Sequence, residues 1–175
     1  MALFTSASAS EHNITLPDFI SSEWNSSQQI GNTKFSRFGI HIYNASLWSL
    51  KKNVKGDTPG NSNNVHATAL IIKYARNISS EQLLSSTYKQ WKYLGFADQL
   101  PLESWLRELE MLWPDVRSGD YLIFVSSQDG TNTFYSKKEM LGSIDDNKFA
   151  PAFLDIWLSP EAKYQKHRKE LLGEI

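Results

Sequence analysis

The stretch Tyr121-Leu122-Ile123-Phe124-Val125-Ser126-Ser127-Gln128-Asp129-Gly130-Thr131-Asn132-Thr133-Phe134-Tyr135 decides the fold. Tyr121 to Val125 is a continuous apolar run, Asp129-Gly130 supplies the residues that a tight turn favours, and Thr131 to Tyr135 resumes on the far side. The segment therefore predicts an antiparallel β-hairpin. Helical patterns lie on both sides of it. Upstream, Ser79-Ser80-Glu81-Gln82 forms a capping box, in which the serine hydroxyl accepts from the N3 amide and the Gln82 side chain reaches back. Leu83, Leu84, Thr87, Tyr88, Trp91 and Leu94 then follow at helical spacing, and Gly95 suits the left-handed conformation that ends a helix. A second helix starts at Pro101, a favourable first-turn residue, carries Leu102, Trp105, Leu106, Leu109 and Trp113 on one side, and is stopped by Pro114.

Further out, Gln28 to Trp48 is rich in Phe, Ile, Tyr and Trp, with Gly31 and Gly39 as interruptions, and reads as one bent strand or two successive ones. Lys51 to His66, with Gly56-Asp57-Thr58-Pro59-Gly60 and Asn61-Ser62-Asn63-Asn64, reads as a loop, and Ala67 to Tyr74 as a strand. Beyond the hairpin, Met140 to Ile144 is a further short strand. Asp145 or Asp146 can cap a helix whose stripe is Phe149, Phe153, Ile156 and Trp157. Ser159-Pro160-Glu161 has the residues of a helix start and would open a charged, mostly solvated helix ending near Gly173. Strands, then helices, then a hairpin and helices again do not make the regular alternation of a parallel sheet. The order predicts an α+β fold, an antiparallel sheet with helices on one face.

The chain has 175 residues, a normal length for one domain. Eighteen basic residues against nineteen acidic ones leave no electrostatic footprint for nucleic acid, and the absence of cysteine excludes disulfides and thiolate chemistry. Residues 1–12 contain Ala7-Ser8-Ala9, the pattern of a signal-peptidase site, and read as the trailing part of an export signal, the alternative being an ordinary disordered serine-rich terminus. That places a single domain at 13–175 and a periplasmic or secreted location. No later stretch approaches the roughly 18 apolar residues of a membrane-spanning helix.

Few constellations carry chemistry. His12, His41, His66 and His167 are scattered without metal-ligand spacing, so neither a metal nor another cofactor is expected. There is no G-x-S-x-G elbow, and the adjacent Asp145 and Asp146 serve a helix start more simply than acid–base work. Of the six tryptophans, Trp91, Trp105 and Trp157 fall on apolar helix stripes and read as core. The polar set with functional interest is Arg37, Tyr43, Lys73, Tyr74 and Arg76, in or beside strands, where cations can hold a ligand carboxylate or phenolate.

A longer pattern runs through Ile42-Tyr43-Asn44-Ala45-Ser46-Leu47-Trp48, Lys73-Tyr74-Ala75-Arg76-Asn77-Ile78-Ser79 and Trp91-Lys92-Tyr93-Leu94-Gly95. It continues with Leu112-Trp113-Pro114-Asp115-Val116, Ser118-Gly119-Asp120, Phe134-Tyr135, Leu141-Gly142-Ser143-Ile144-Asp145-Asp146 and Ile156-Trp157-Leu158-Ser159-Pro160. In order and spacing these resemble the bacterial chalcone isomerase-like proteins over nearly the whole chain after Gln28. The resemblance implies an open-faced β-sandwich, a large antiparallel sheet covered on one side by helices with a ligand cleft between them. Plant members of that superfamily cyclise a chalcone with a Thr, a Tyr, an Asn and an Arg, while plastid members bind fatty acids.

Aligned on Trp91-Lys92-x-Leu94-Gly95, the catalytic Tyr falls on Ser79 and the Asn on Ser86. The Thr falls on Ser36 or near Tyr43, Lys34 and Arg37 are the nearest cations, and Tyr88 is an aromatic hydroxyl on the same helix. With Lys34, Arg37, Tyr43, Lys73 and Arg76 as contacts, the resemblance implies a non-catalytic domain holding a small amphipathic ligand such as a fatty acid. The alternatives are an isomerase acting on an enone, with Ser36, Tyr43 or Tyr88 as its catalytic groups, and a protein-interaction module marked by an exposed Trp48 or Trp113.

Overall fold

The structure, a computed structural model, describes residues 14–53 and 64–175. The Ala7-Ser8-Ala9 motif and most of the expected loop lie outside the described residues. The rest forms a six-stranded antiparallel sheet whose strands neighbour one another in chain order. They are β1 (Ser26–Arg37), β2 (Ile40–Asn53), β3 (Asn64–Tyr74), β4 (Tyr121–Ser127), β5 (Asn132–Tyr135) and β6 (Met140–Ser143). The helices are α1 (Asp18–Ser21), α2 (Ser80–Tyr93), α3 (Leu102–Leu112), α4 (Phe149–Leu158) and α5 (Gln165–Leu171).

The aromatic stretch from Gln28 is two strands, joined at Phe38 and Gly39, whose φ angles of 51° and 74° put both turn residues in the left-handed region. Two positive φ values give the tight turn whose twist matches paired strands. The β2–β3 ladder runs from Tyr43↔Tyr74 to Asn53↔Asn64. Residues 51–53 and 64–66, expected in a loop, are therefore strand, because cross-strand pairing of Lys51 with His66 and Lys52 with Val65 outweighs the polar composition. The deciding hairpin is β4–β5. Its connection is one residue longer than a two-residue turn, with Ser127 N–H donating to the Thr131 carbonyl (2.9 Å) and Gly130 at φ 90°. Asp129 Oδ1 accepts from the amide (3.0 Å) and hydroxyl (2.7 Å) of Thr131, and these bonds hold its carboxyl below the ordinary value.

The apolar runs of β3 and β4 are continuous rather than alternating, and both sheet faces are accordingly buried. On one face Ala45, Leu47, Leu70, Ile72, Leu122, Phe124 and Phe134 pack beneath α2 to α4. On the other, Leu50, Ala69, Ile71, Ile123 and Val125 are covered by Ile14, Leu16 and Ile20 of the segment that includes α1. The larger helices thus share one face as expected, with a short amino-terminal cover on the other.

The Ser79 capping box forms as read, Ser79 Oγ accepting from Gln82 N (3.2 Å) and Gln82 Oε1 from Ser79 N (3.0 Å). Pro101 sits one residue before α3 instead of within its first turn. Of the two aspartates before α4, Asp146 does the holding: its carboxylate accepts from Lys148 N (2.9 Å) and Trp105 Nε1 (3.0 Å), and its carbonyl accepts from Phe149 N (3.0 Å). The last helix departs from expectation. Ser159 caps only a turn, its Oγ accepting from Glu161 N (3.1 Å), and α5 starts at Gln165. Burial of Ala162 and packing of the Tyr164 ring on Phe35 (4.9 Å between centroids) keep the intervening residues out of a helix. Nor is α5 simply solvated. Leu171 is fully buried, and the helix lies on β1 at Gly31, where an added Cβ would meet the backbone carbonyls of Glu170 and Leu171.

Candidate functional site

In an antiparallel meander the end of β1, the start of β2 and the end of β3 come to the same edge of the sheet. There a cavity of about 390 Å³ opens between the sheet and α2, α4 and the approach to α5, within the ordinary size range of ligand pockets. Its floor is the side of the sheet that faces the helices. Phe35, Tyr43 and Tyr74 come from three adjacent strands at matching registers, with Ile72 and Leu122 further in. Phe35 and Tyr43 stack with centroids 4.9 Å apart, and Tyr43 and Tyr74 meet edge to face at 6.2 Å. The helices supply Leu83, Ser86, Thr87 and Gln90 from α2, and Phe153, Ile156 and Trp157 from α4.

The polar groups of this cleft include the donors of Arg37, Arg76, Trp113 and Trp157 beside amides and hydroxyls that can both donate and accept. Trp157 Nε1 donates to Tyr43 Oη (3.1 Å), which leaves the proton of the Tyr43 hydroxyl for another acceptor. Burial pushes the Tyr43 phenol up to about 12, against the opposing Trp157 hydrogen bond, and burial together with Tyr43 pushes Tyr74 up further. Both tyrosines therefore keep their protons at any physiological pH. Trp113, 4 % exposed, lines the same cavity, and its indole N–H is buried without a partner among the described residues. Arg37 and Arg76, both exposed, stand at the rim, and His167 lines the same cavity, whereas among the described residues no aspartate or glutamate lines it.

Of the residues singled out from sequence, Arg37, Tyr43, Tyr74 and Arg76 are brought together here. Lys34 and Lys73 are not. Strand alternation turns each to the face opposite its neighbour Phe35 or Tyr74, and the Lys73 ammonium lies 5.9 Å from the Tyr121 ring centroid. Ser36 is exposed on β1 away from the cleft. Tyr88 lies outside the lining, beneath the Lys92 ammonium (4.7 Å), because the side of α2 that faces the cavity carries Leu83, Ser86, Thr87 and Gln90. Ser79 is confined to its cap, while Ser86 does line the cleft. Trp91 and Trp105 are core, but Trp157 is a cleft residue, and Trp113 is buried rather than an exposed marker of a protein interface. Trp48 is half-buried with its indole N–H donating to Ser46 Oγ (2.8 Å). Sequence reasoning missed Tyr164 and His167, since a strongly charged helix gives no sign of which residue it turns inward. Among the described residues no cluster of His, Asp or Glu could hold a metal, and no helix is long and apolar enough to cross a membrane.

An antiparallel sheet with helices packed over one face and a cleft between the layers defines a sheet-and-helix fold of the open-faced type. The chain belongs to the chalcone isomerase-like family, whose model matches residues 12–173. It is 28% identical over 147 residues to an uncharacterized protein of Haemophilus influenzae, covering 84% of this chain and 68% of that protein. Its fold is similar to that in the crystal structure of an Arabidopsis thaliana fatty-acid binding protein. There the TM-score is 0.63 at 11% identity, over 86% of this chain and 88% of the other.

Proposed function

We propose that this domain is a non-catalytic carrier or sensor of a small amphipathic anion such as a fatty acid, with the apolar tail between sheet and helices and the head group at Arg37 and Arg76. The observation that carries this reading is the lining itself: an apolar interior, a rim of two arginines and a histidine, and no carboxylate. Such a site attracts an acceptor-rich anionic end while housing an apolar tail. The similarity of the fold to a fatty-acid binding protein supports the same reading. Against catalysis, Ser79 stands where the resemblance puts the catalytic tyrosine, and its hydroxyl is engaged in the helix cap outside the cleft. Export is part of the proposal on the strength of Ala7-Ser8-Ala9, and amino-terminal sequencing of protein from cell fractions checks it.

Binding of cis-parinaric acid, a fluorescent fatty acid, tests the main claim. We expect saturable binding to the wild type and a loss of about 100-fold or more in the Arg37→Ala/Arg76→Ala protein, since hydrogen bonds to charged groups each contribute roughly 1.5–3 kcal/mol and the double variant removes two such groups. The substitutions lie on exposed residues, so folding should be preserved. No binding by the wild type, or consumption of a chalcone followed by its absorbance, would overturn the reading.

A further inference from the structure

His167 sits on α5 between the cleft and a hydrogen-bonded pair behind it. Its Nδ1 lies 2.7 Å from Thr33 Oγ1 and 3.4 Å from Glu170 Oε2. The Thr33 hydroxyl donates to Glu170 Oε2. A hydroxyl has one proton, and Thr33 gives it to the carboxylate, so Thr33 can only accept from His167. Nδ1 must then carry a hydrogen, which fixes the tautomer. Neither Thr33 nor Glu170 lines the cleft, whereas His167 does. The opposite ring nitrogen, Nε2, is thus the one left for the cavity, and among the described residues no protein group bonds it. Phe35 and Tyr164 hold the ring edge to face at 5.1 and 6.1 Å between centroids.

We propose that His167 reads the ligand's head group through Nε2: uncharged it offers only a lone pair, and protonated it offers an N–H and a positive charge, so anion binding is coupled to uptake of one proton. This rests on the reading of the cleft as an anion-binding pocket. Thr33 and Glu170 are positioning residues in it, setting the tautomer and stabilising the imidazolium from behind. Burial alone would raise the Glu170 carboxyl, but Thr33, Lys166 and His167 together hold it below its ordinary value, so it stays charged at neutral pH. The titratable and charged groups around the imidazole are Glu170 and Lys166 on its own helix, Tyr164 before it, Tyr43 across Phe35, and Arg37 and Arg76 on the rim. Arginine stays charged and Tyr43 stays protonated over the neutral range. Imidazole is the side-chain type that ordinarily titrates there, and His167 is the histidine among the lining residues.

The sign follows. Raising the pH removes the imidazolium and weakens anion binding, up to about tenfold per pH unit where the coupling is complete. The test uses dodecanesulfonate, which remains anionic throughout, and dodecanol, which remains neutral, titrated into the whole protein by calorimetry between pH 6 and 8. The expected result is roughly a tenfold loss of sulfonate affinity across that range, with dodecanol unchanged and proton uptake seen in buffers of different ionisation enthalpy. His167→Gln should flatten the sulfonate profile at its high-pH level, while Glu170→Gln and Thr33→Val should diminish its slope. Long-range ¹⁵N correlation spectra of the free protein should show His167 protonated at Nδ1 when neutral. A sulfonate profile that keeps its slope in His167→Gln, or a neutral His167 protonated at Nε2, overturns the proposal and leaves the binding reading intact. Failure of sulfonate and cis-parinaric acid alike to bind the wild type overturns both.

Discussion

Trp91→Ala should cost about 3–5 kcal/mol of stability, the range for emptying a buried tryptophan site. Trp91 is fully buried between α2 and α4, in edge-to-face contact with Trp105 (5.6 Å between centroids) and Phe149 (6.1 Å), and its Nε1 donates across the helix interface to the Ala152 carbonyl (2.9 Å). The site cannot collapse easily, because the neighbours are rigid rings packed on one another and on Phe124. Urea unfolding should show a lower midpoint, and the melting temperature should fall by on the order of 10 °C, at roughly 2–4 °C per kcal/mol for a chain of this size. Trp91→Phe keeps much of the ring contact but loses the hydrogen bond, and should fall in between at about 1–2 kcal/mol. A loss below about 1 kcal/mol for Trp91→Ala would mean that α2 and α4 are not held together here. The consequence reaches the cleft, since these two helices form its roof.

That Trp91 is core was legible from its place on an apolar helical stripe, as were the Ser79 cap, the β4–β5 hairpin and the antiparallel order of the sheet. The first three are local, resting on residues a few positions apart that sequence spacing displays directly, whereas the antiparallel sheet follows from the order of strands and helices along the chain. The cleft was legible only in part. Arg37, Tyr43, Tyr74 and Arg76 were noticed because cations and tyrosines near strand ends stand out. The same criterion selects Lys73, and the family resemblance adds Lys34 as a nearby cation, although alternation along β3 and β1 turns them to the other face. Fixing that parity requires knowing which face of each strand meets the helices, and in β1 the register also shifts between Gln29 and Gly31 and between Phe35 and Ser36. His167 could not be found because its partner Thr33 is 134 residues away, and nothing in a charged carboxy-terminal segment announces that contact. A comparable separation explains why Ser159-Pro160-Glu161 does not start the helix it resembles: Tyr164 is held out of the helix by Phe35, a residue of the first strand.

Gly31 and Gly39 looked alike as interruptions of an aromatic stretch, yet substituting them should have different consequences. Gly39 has φ 74° with no atom within 4 Å of an added Cβ, so Gly39→Ala meets only backbone strain of about 1–2 kcal/mol, confined to the hairpin tip. At Gly31 the obstacle is contact, since a Cβ would sit against the Glu170 carbonyl and 2.5 Å from that of Leu171. Backbone atoms cannot rotate away as a side chain can, so β1 and α5 must separate. Gly31→Ala should cost about 3 kcal/mol, the upper end for overpacking, and Gly31→Val more. The distinguishing result is functional. Moving α5 off β1 pulls His167 and Glu170 from Thr33, so Gly31→Ala should lose the pH dependence of sulfonate binding while still binding dodecanol. Gly39→Ala should retain both. Equal stability losses with an unchanged pH profile in the two variants would show that α5 does not need close contact with β1 to hold His167, because Gly31 is where the α5 backbone comes against the strand that carries Thr33.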